Sequence, residues 1–178
     1  KGIMKVTILG SGSAYGVPYA GGGWGACDPK NPKNRRLSPC ILIEDKGSRL
    51  LVDMSPDFRQ QAELHKIDLI DGVFFTHAHA DHLSAAHHIR EKTGAPVVIG
   101  AHITDVQTIF ADLFEADDVA RDGSVFDRLV TDGDELPLGN LSIKVLHTPG
   151  HTPACVTYII GDAAFVGDTV FMPDYGTA

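Results

Sequence analysis

The chain has 178 residues, of which 43% are hydrophobic and 21% charged, with a formal net charge of −8. That apolar content fills one core, so a single domain over residues 1–178 is expected, and a disordered or collagen-like chain is excluded. The acidic balance argues against general nucleic-acid binding, which needs a basic face to neutralise phosphates. The apolar runs are too short to span a membrane, and no basic start leads into a signal-like apolar region, so a cytoplasmic protein with no membrane partner is expected. Lys1-Gly2-Ile3, ahead of Met4, reads as an expression remnant.

In chain order, Met4 to Leu9 is a strand that stops at Gly10-Ser11-Gly12-Ser13. Residues 10 to 39 form a long glycine- and proline-rich loop holding the only tryptophan, Trp24, and this segment is expected to face substrate. Its glycines lack the Lys-Ser/Thr ending of a phosphate-binding loop and the three-glycine helix opening of a dinucleotide site. Lys30, Lys33, Arg35 and Arg36 gather there as a basic run; Lys33, Arg35 and Arg36 are candidate contacts to an anionic substrate, against the alternative of a solvated loop. Cys40 to Glu44 and Arg49 to Asp53 form a hairpin, followed by Ser55-Pro56-Asp57 as the start of a helix reaching about Lys66. Next come the strand Val73 to Thr76, a helix over Leu83 to Lys92, the strand Pro96 to Gly100 and a helix over Thr104 to Phe114. Three β runs follow, Val125 to Val130, Leu141 to His147 and Ala154 to Ile160, the last closing through Gly161-Asp162 into Ala164-Phe165-Val166. Cys27, Cys40 and Cys155 are odd in number and contain no C-x-x-C pair, so no disulfide framework is expected and Cys155 is assigned to the core.

Chemistry concentrates in Thr76-His77-Ala78-His79-Ala80-Asp81-His82, where three imidazoles and a carboxylate follow an apolar strand. In an extended segment alternate side chains share a face, so His77 and His79 converge on one point. Asp81 and His82 come at a helix start, where the turning chain aims them at a second point nearby. Imidazole and carboxylate together suit a divalent ion such as zinc, with a coordination position left for water. His147-Thr148-Pro149-Gly150-His151 and Gly167-Asp168-Thr169 each stand where another β run ends. His147 is read as a strand-end or supporting residue, while His65, His87, His88 and His102 are read as surface or core histidines. Asp53 is either an orienting acid for the metal loop or a simple strand-terminating acid.

Taken together, these three motifs resemble those of the metallo-β-lactamase superfamily. The resemblance implies an α/β fold of the αββα sandwich type, with ligands along one edge of two packed sheets. Residues 4 to 82, including Gly22-Gly23-Trp24-Gly25-Ala26-Cys27-Asp28-Pro29, Asn34-Arg35-Arg36 and Val52-Asp53-Met54-Ser55-Pro56-Asp57, look like the phosphoribosyl cyclic phosphodiesterase-like group. Residues 76 to 178, including Ala80-Asp81-His82-Leu83-Ser84-Ala85-Ala86 and His147 to Cys155, are similar to the persulfide dioxygenase and glyoxalase II branch. A natural or engineered recombinant with a seam near 76–90 is therefore expected.

The resemblance implies a first metal on His77, His79 and His151 and a second on Asp81 and His82, with Asp168 bridging; Asp81 and Asp168 are the candidate catalytic acids. One or two zinc ions would generate a metal-bound hydroxide that attacks a phosphodiester or (thio)ester in a small-molecule substrate. The runner-up is a mononuclear Fe(II) persulfide dioxygenase using His77, His151 and Asp168, and a third reading is a metal-binding scaffold without activity. The superfamily pattern also carries a later histidine, helix and strand, whereas no histidine follows His151 here. A weak second metal site and a homodimer through an open sheet edge are expected from that difference.

Overall fold

The computed structural model describes the backbone of residues 4–79, 86–115, 120–172 and 175–176, and their side chains apart from residues 86–89, 172, 175 and 176. Six strands form one sheet in sequential order: β1 (Lys5–Gly10), β2 (Cys40–Asp45), β3 (Ser48–Val52), β4 (Gly72–Phe74), β5 (Val97–Gly100) and β6 (Arg128–Val130). The first three are antiparallel and the last four run parallel. A second, antiparallel sheet has the order β10 (Ala163–Phe165), β9 (Val156–Ile160), β8 (Leu141–His147) and β7 (Glu135–Leu138). A short pair, β11 (Val170–Met172) and β12 (Tyr175–Gly176), follows.

The β2–β3 hairpin turns on Lys46 and Gly47, both at positive φ (46° and 89°), as a two-residue turn matching the strand twist requires. Strand β4 is buried on both faces, and successive side chains divide between two cores. Phe74, with Ile43, Leu50, Val52 and Val98, faces the second sheet's Val145, Tyr158, Ile160 and Phe165. Phe74 meets Tyr158 edge-on at 5.2 Å between ring centroids. Val73 and Phe75, with Leu51, Val97 and Ile99, face the other way, against Phe58 of α1 (Phe58–His65) and Ile103 and Val106 of α3 (Ile103–Leu113). The helix α2 (Ala86–Thr93) lies between β4 and β5 in the chain. Among the described residues the layers are therefore helix, sheet, sheet, with the polar Ser142 and Lys144 of β8 exposed on the outer side of the second sheet.

Several local expectations are corrected. Ser55 does not cap α1: the helix begins at Phe58, and the Ser55 hydroxyl turns inward to the buried Gln61. Asp57, at the cap position, accepts instead from the backbone N–H and hydroxyl of Ser38, both at 2.9 Å, which fastens the end of the long loop to the helix start. The strand expected over Val125–Val130 is confined to Arg128–Val130. Strand β7 was not anticipated because Pro137 interrupts its apolar pattern; it is tolerated because β7 is an edge strand. Strand β1 is also an edge, and its Val6 and Ile8 are exposed.

Candidate metal centre

The parallel strands β3, β4 and β5 end together, and the chain after β4 supplies the first two histidines. Strand β4 stops at Phe74, short of the expected Thr76, and Thr76 and His77 lie in a bend. The imidazoles of His77 and His79 still converge, with 4.6 Å between ring centroids and 3.2 Å between His77 Nε2 and His79 Nδ1. His151 reaches them from the connection between β8 and β9, its Nε2 lying 2.7 Å from His79 Nε2. Asp168 arrives from the single 3-10 turn after β10, Gly167–Thr169, and its Oδ2 is 3.6 Å from Nε2 of both His77 and His151 and 3.8 Å from His79 Nδ1. One ligand atom from each of the four residues lies within 4.8 Å of all the others. His77 is almost fully buried at 1% exposure, whereas the His79, His151 and Asp168 side chains are 44%, 22% and 28% exposed, so the group opens to solvent on one side.

The donor set fits a divalent metal ion. A tetrahedral site with zinc–ligand bonds of ~2.0–2.1 Å has ligand–ligand edges of ~3.3–3.4 Å, close to several of the separations seen here. Three imidazoles and a carboxylate are the ligand types that zinc and ferrous iron share. Cys40, at the wall of the same cavity, does not add a thiolate: burial, then the charge of Asp53, pushes its thiol well above the ordinary cysteine range.

Behind the histidines, Asp53 follows the last residue of β3 in the left-handed region, with φ of 51°. Its Oδ1 accepts from the Thr76 backbone N–H at 2.9 Å and its Oδ2 from the Thr76 hydroxyl at 2.7 Å. Of the two readings for Asp53, the contacts are those of an acid that holds the histidine loop. Tyr158, whose ionisation is pushed up by burial and then by Asp53, donates its hydroxyl to the Phe75 carbonyl at 2.8 Å, tying the second sheet to the same segment.

A cavity of about 590 Å³ lies beside the group, lined by His77, His79, Asp53 and Asp168, with Val6, Ile8 and Phe171 among its apolar walls. The basic run does not line it. Lys33 sits in an exposed 3-10 turn over Pro32–Asn34, Arg35 stacks on Trp24 at 5.0 Å and Arg36 donates to the Cys27 sulfur at 3.3 Å. Asp81 and His82, expected at a second metal, lie outside the described residues. His147 ends β8, stacks on His102 with 4.4 Å between centroids and donates its Nε2–H to the Pro153 carbonyl at 2.9 Å, bracing the loop that carries His151. Two contributors escaped the sequence reading, Thr76 and Gly167. The second carried a signal: a glycine immediately before a ligand-type acid marks close backbone approach.

Known proteins are similar to this chain in sequence or fold. A probable metallo-hydrolase of Burkholderia pseudomallei is 56% identical over 114 residues, covering 58% of this chain; the match spans only 39% of that relative's length. The fold matches the crystal structure of a diphosphatase from the PhnP family with a TM-score of 0.66 at 24% identity, over 91% of this chain and 65% of that one. It also matches ETHE1 from Myxococcus xanthus with a TM-score of 0.54 at 30% identity, over 78% of this chain and 58% of that one. Residues 34–177, which include all four clustered ligand-type side chains, match the metallo-beta-lactamase superfamily, and the chain belongs to that superfamily.

Proposed function

We propose that this chain is a metal-dependent hydrolase that cleaves a phosphodiester or (thio)ester bond in a small molecule. The observation that carries the reading is the convergence of His77, His79, His151 and Asp168, drawn from both sheets, beside an open cavity. His77, His79 and His151 would hold a first ion, with Asp168 extending to a second held by Asp81 and His82. A zinc ion held by these residues would supply a bound water with a pKa of about 7 and a Lewis acid for the oxygen of the bond under attack.

The chain's own groups set the rest. Asp168 stands at the cavity wall, where the carboxylate oxygen other than Oδ2, the one among the imidazoles, can orient an entering water. Val6, Ile8 and Phe171, each partly exposed, give one side of the cavity an apolar wall that suits an apolar part of the substrate. No lysine or arginine lines the cavity among the described residues, which favours an uncharged acyl group there over a phosphate. A phosphodiester would instead meet Lys33, Arg35 and Arg36 beyond the cavity.

Metal analysis of protein purified without added metal, followed by assays on bis-nitrophenyl phosphate, a thioester and a lactone, tests the proposal. Hydrolysis that disappears with chelation supports it; inactivity of the zinc-loaded and iron-loaded protein on every substrate overturns it in favour of a scaffold. The mononuclear iron reading rests on the resemblance of residues 76 to 178 to persulfide dioxygenases and on His77, His151 and Asp168, which belong to the single cluster of ligand-type residues found among the described residues. It requires oxygen uptake with glutathione persulfide by the iron-loaded form and none by the zinc-loaded form.

A further inference from the structure

Thr76 is buried at 1% exposure and touches every segment that brings a ligand to the cluster. Its backbone N–H and hydroxyl both go to the Asp53 carboxylate, at 2.9 and 2.7 Å. Its carbonyl accepts the N–H of Val156 at 2.8 Å, joining the bend after β4 to the start of β9, just beyond the His151 loop. A Cβ added at Gly167, whose φ is +52°, would overlap Thr76 Oγ1, so the residue before Asp168 packs directly on the same hydroxyl. On its remaining side, Thr76 Oγ1 lies 2.8 Å from His77 Nδ1.

For a neutral His77 ring beside an ionised Asp53, these contacts leave one consistent placement of hydrogens. An ionised carboxylate only accepts, so the single hydroxyl hydrogen of Thr76 points at Asp53. Toward His77 the oxygen is then an acceptor, and the ring must carry its proton on Nδ1. Nε2, the nitrogen that faces His79 and Asp168, is left with its lone pair exposed to the cluster. We propose that Thr76 is a positioning residue: relayed from Asp53, its hydroxyl holds His77 in the Nδ1–H tautomer with Nε2 ready for a metal, while its main chain and Gly167 keep the His151 and Asp168 segments in place around it. A supporting partner of this kind is worth about 10- to 100-fold in metal affinity. The affinity part rests on the metal reading above; the tautomer part does not need a metal.

The decisive measurement is ¹⁵N NMR of His77 in metal-free protein at about pH 8, above the ordinary imidazole range. Wild type and Thr76→Ser are expected to show the proton on Nδ1, and the near-isosteric Thr76→Val, lacking the acceptor, to lose that preference. Cobalt or zinc affinity should fall about 10- to 100-fold in Thr76→Val and return toward wild type in Thr76→Ser. An Nε2–H tautomer in the wild type overturns the proposal whatever the variants do. Equal tautomer and affinity in Thr76→Val overturns it as well, because the hydroxyl would then be only a packing group. If the tautomers behave as expected but no variant or wild type binds metal, the metal reading fails and the tautomer lock stands.

Discussion

At the scale of single residues, the cluster depends on a few atoms that have no substitute nearby. His151 brings the only imidazole of the described cluster from the second sheet, and His151→Ala should remove most bound metal, read by equilibrium dialysis with elemental analysis. Asp168→Ala should reduce kcat/KM by about 100-fold or more even where some metal remains, since it removes the carboxylate at the cavity wall. Near-normal turnover would remove Asp168 from the chemistry. Gly167→Ala faces both a positive φ and overlap with Thr76 Oγ1, and the second effect reaches the cluster itself. It should destabilise the fold by at least about 1 kcal/mol in a denaturant titration and weaken metal binding in the same protein.

At the scale of elements, the two sheets meet where the site needs them to meet. Gly100 ends β5 so close to the Ala154 carbonyl that a Cβ would press into it at 2.5 Å, which lets the His151 loop settle against the first sheet. Far from the site, β1, β2 and β3 share an ionic cluster in which Glu44 receives Lys5 at 2.6 Å and Arg49 at 3.3 Å. The hydrogen bond from Lys5 is the largest influence on the Glu44 carboxyl; burial, the next largest, opposes it, and the charge of Lys5 with the hydrogen bond and charge of Arg49 bring the net shift below the usual carboxylate range. A depressed folded-state pKa means that this stabilisation is complete above the unfolded pKa and disappears as pH falls through the folded one. Wild type should therefore exceed Glu44→Gln in stability near neutrality by about 1 kcal/mol or less, with the two converging in acid. A difference that persisted below the carboxylate range would place the effect in packing instead.

At the scale of the whole molecule, a metal at this site would clasp two sheets that otherwise meet through their apolar faces and a few hydrogen bonds such as Tyr158 to Phe75 and Val156 to Thr76. His77 and His79 follow β4 of the first sheet, while His151 and Asp168 belong to connections of the second. An ion bound to the folded state alone adds about 2.7 kcal/mol at a hundredfold excess over its Kd, or about 5–10 °C in Tm for a chain of this size. Zinc titration followed by thermal unfolding should show that rise, chelation should reverse it, and His151→Ala should abolish it. An unchanged Tm in a protein that demonstrably binds zinc would mean that the ion binds the unfolded chain as well as the folded one and does not depend on the assembled site.

How much of this was readable before the structure depended on how local the governing interactions are. The ligand types announce themselves in sequence because few other roles place His77, His79, His151 and Asp168 at the ends of apolar runs. The β2–β3 hairpin was equally plain, since Lys46-Gly47 supplies a two-residue turn between two apolar strands. Strand β7 was not, because Pro137 is acceptable only at a sheet edge and edges exist only once strands have paired. The same holds for Asp57, whose partner Ser38 is nineteen positions away and displaced the expected cap at Ser55. The basic run of Lys33, Arg35 and Arg36 was visible as charge, but only folding turned Arg35 onto Trp24 and Arg36 onto Cys27, away from the cavity. Sequence by itself thus determined the superfamily and pointed to the four ligand-type residues that cluster, because both are matters of residue type and spacing. Tertiary structure alone decided that Thr76 joins Asp53, Val156 and Gly167, because the pairing of β3 with β4 brings the first beside it and the packing of the two sheets brings the other two.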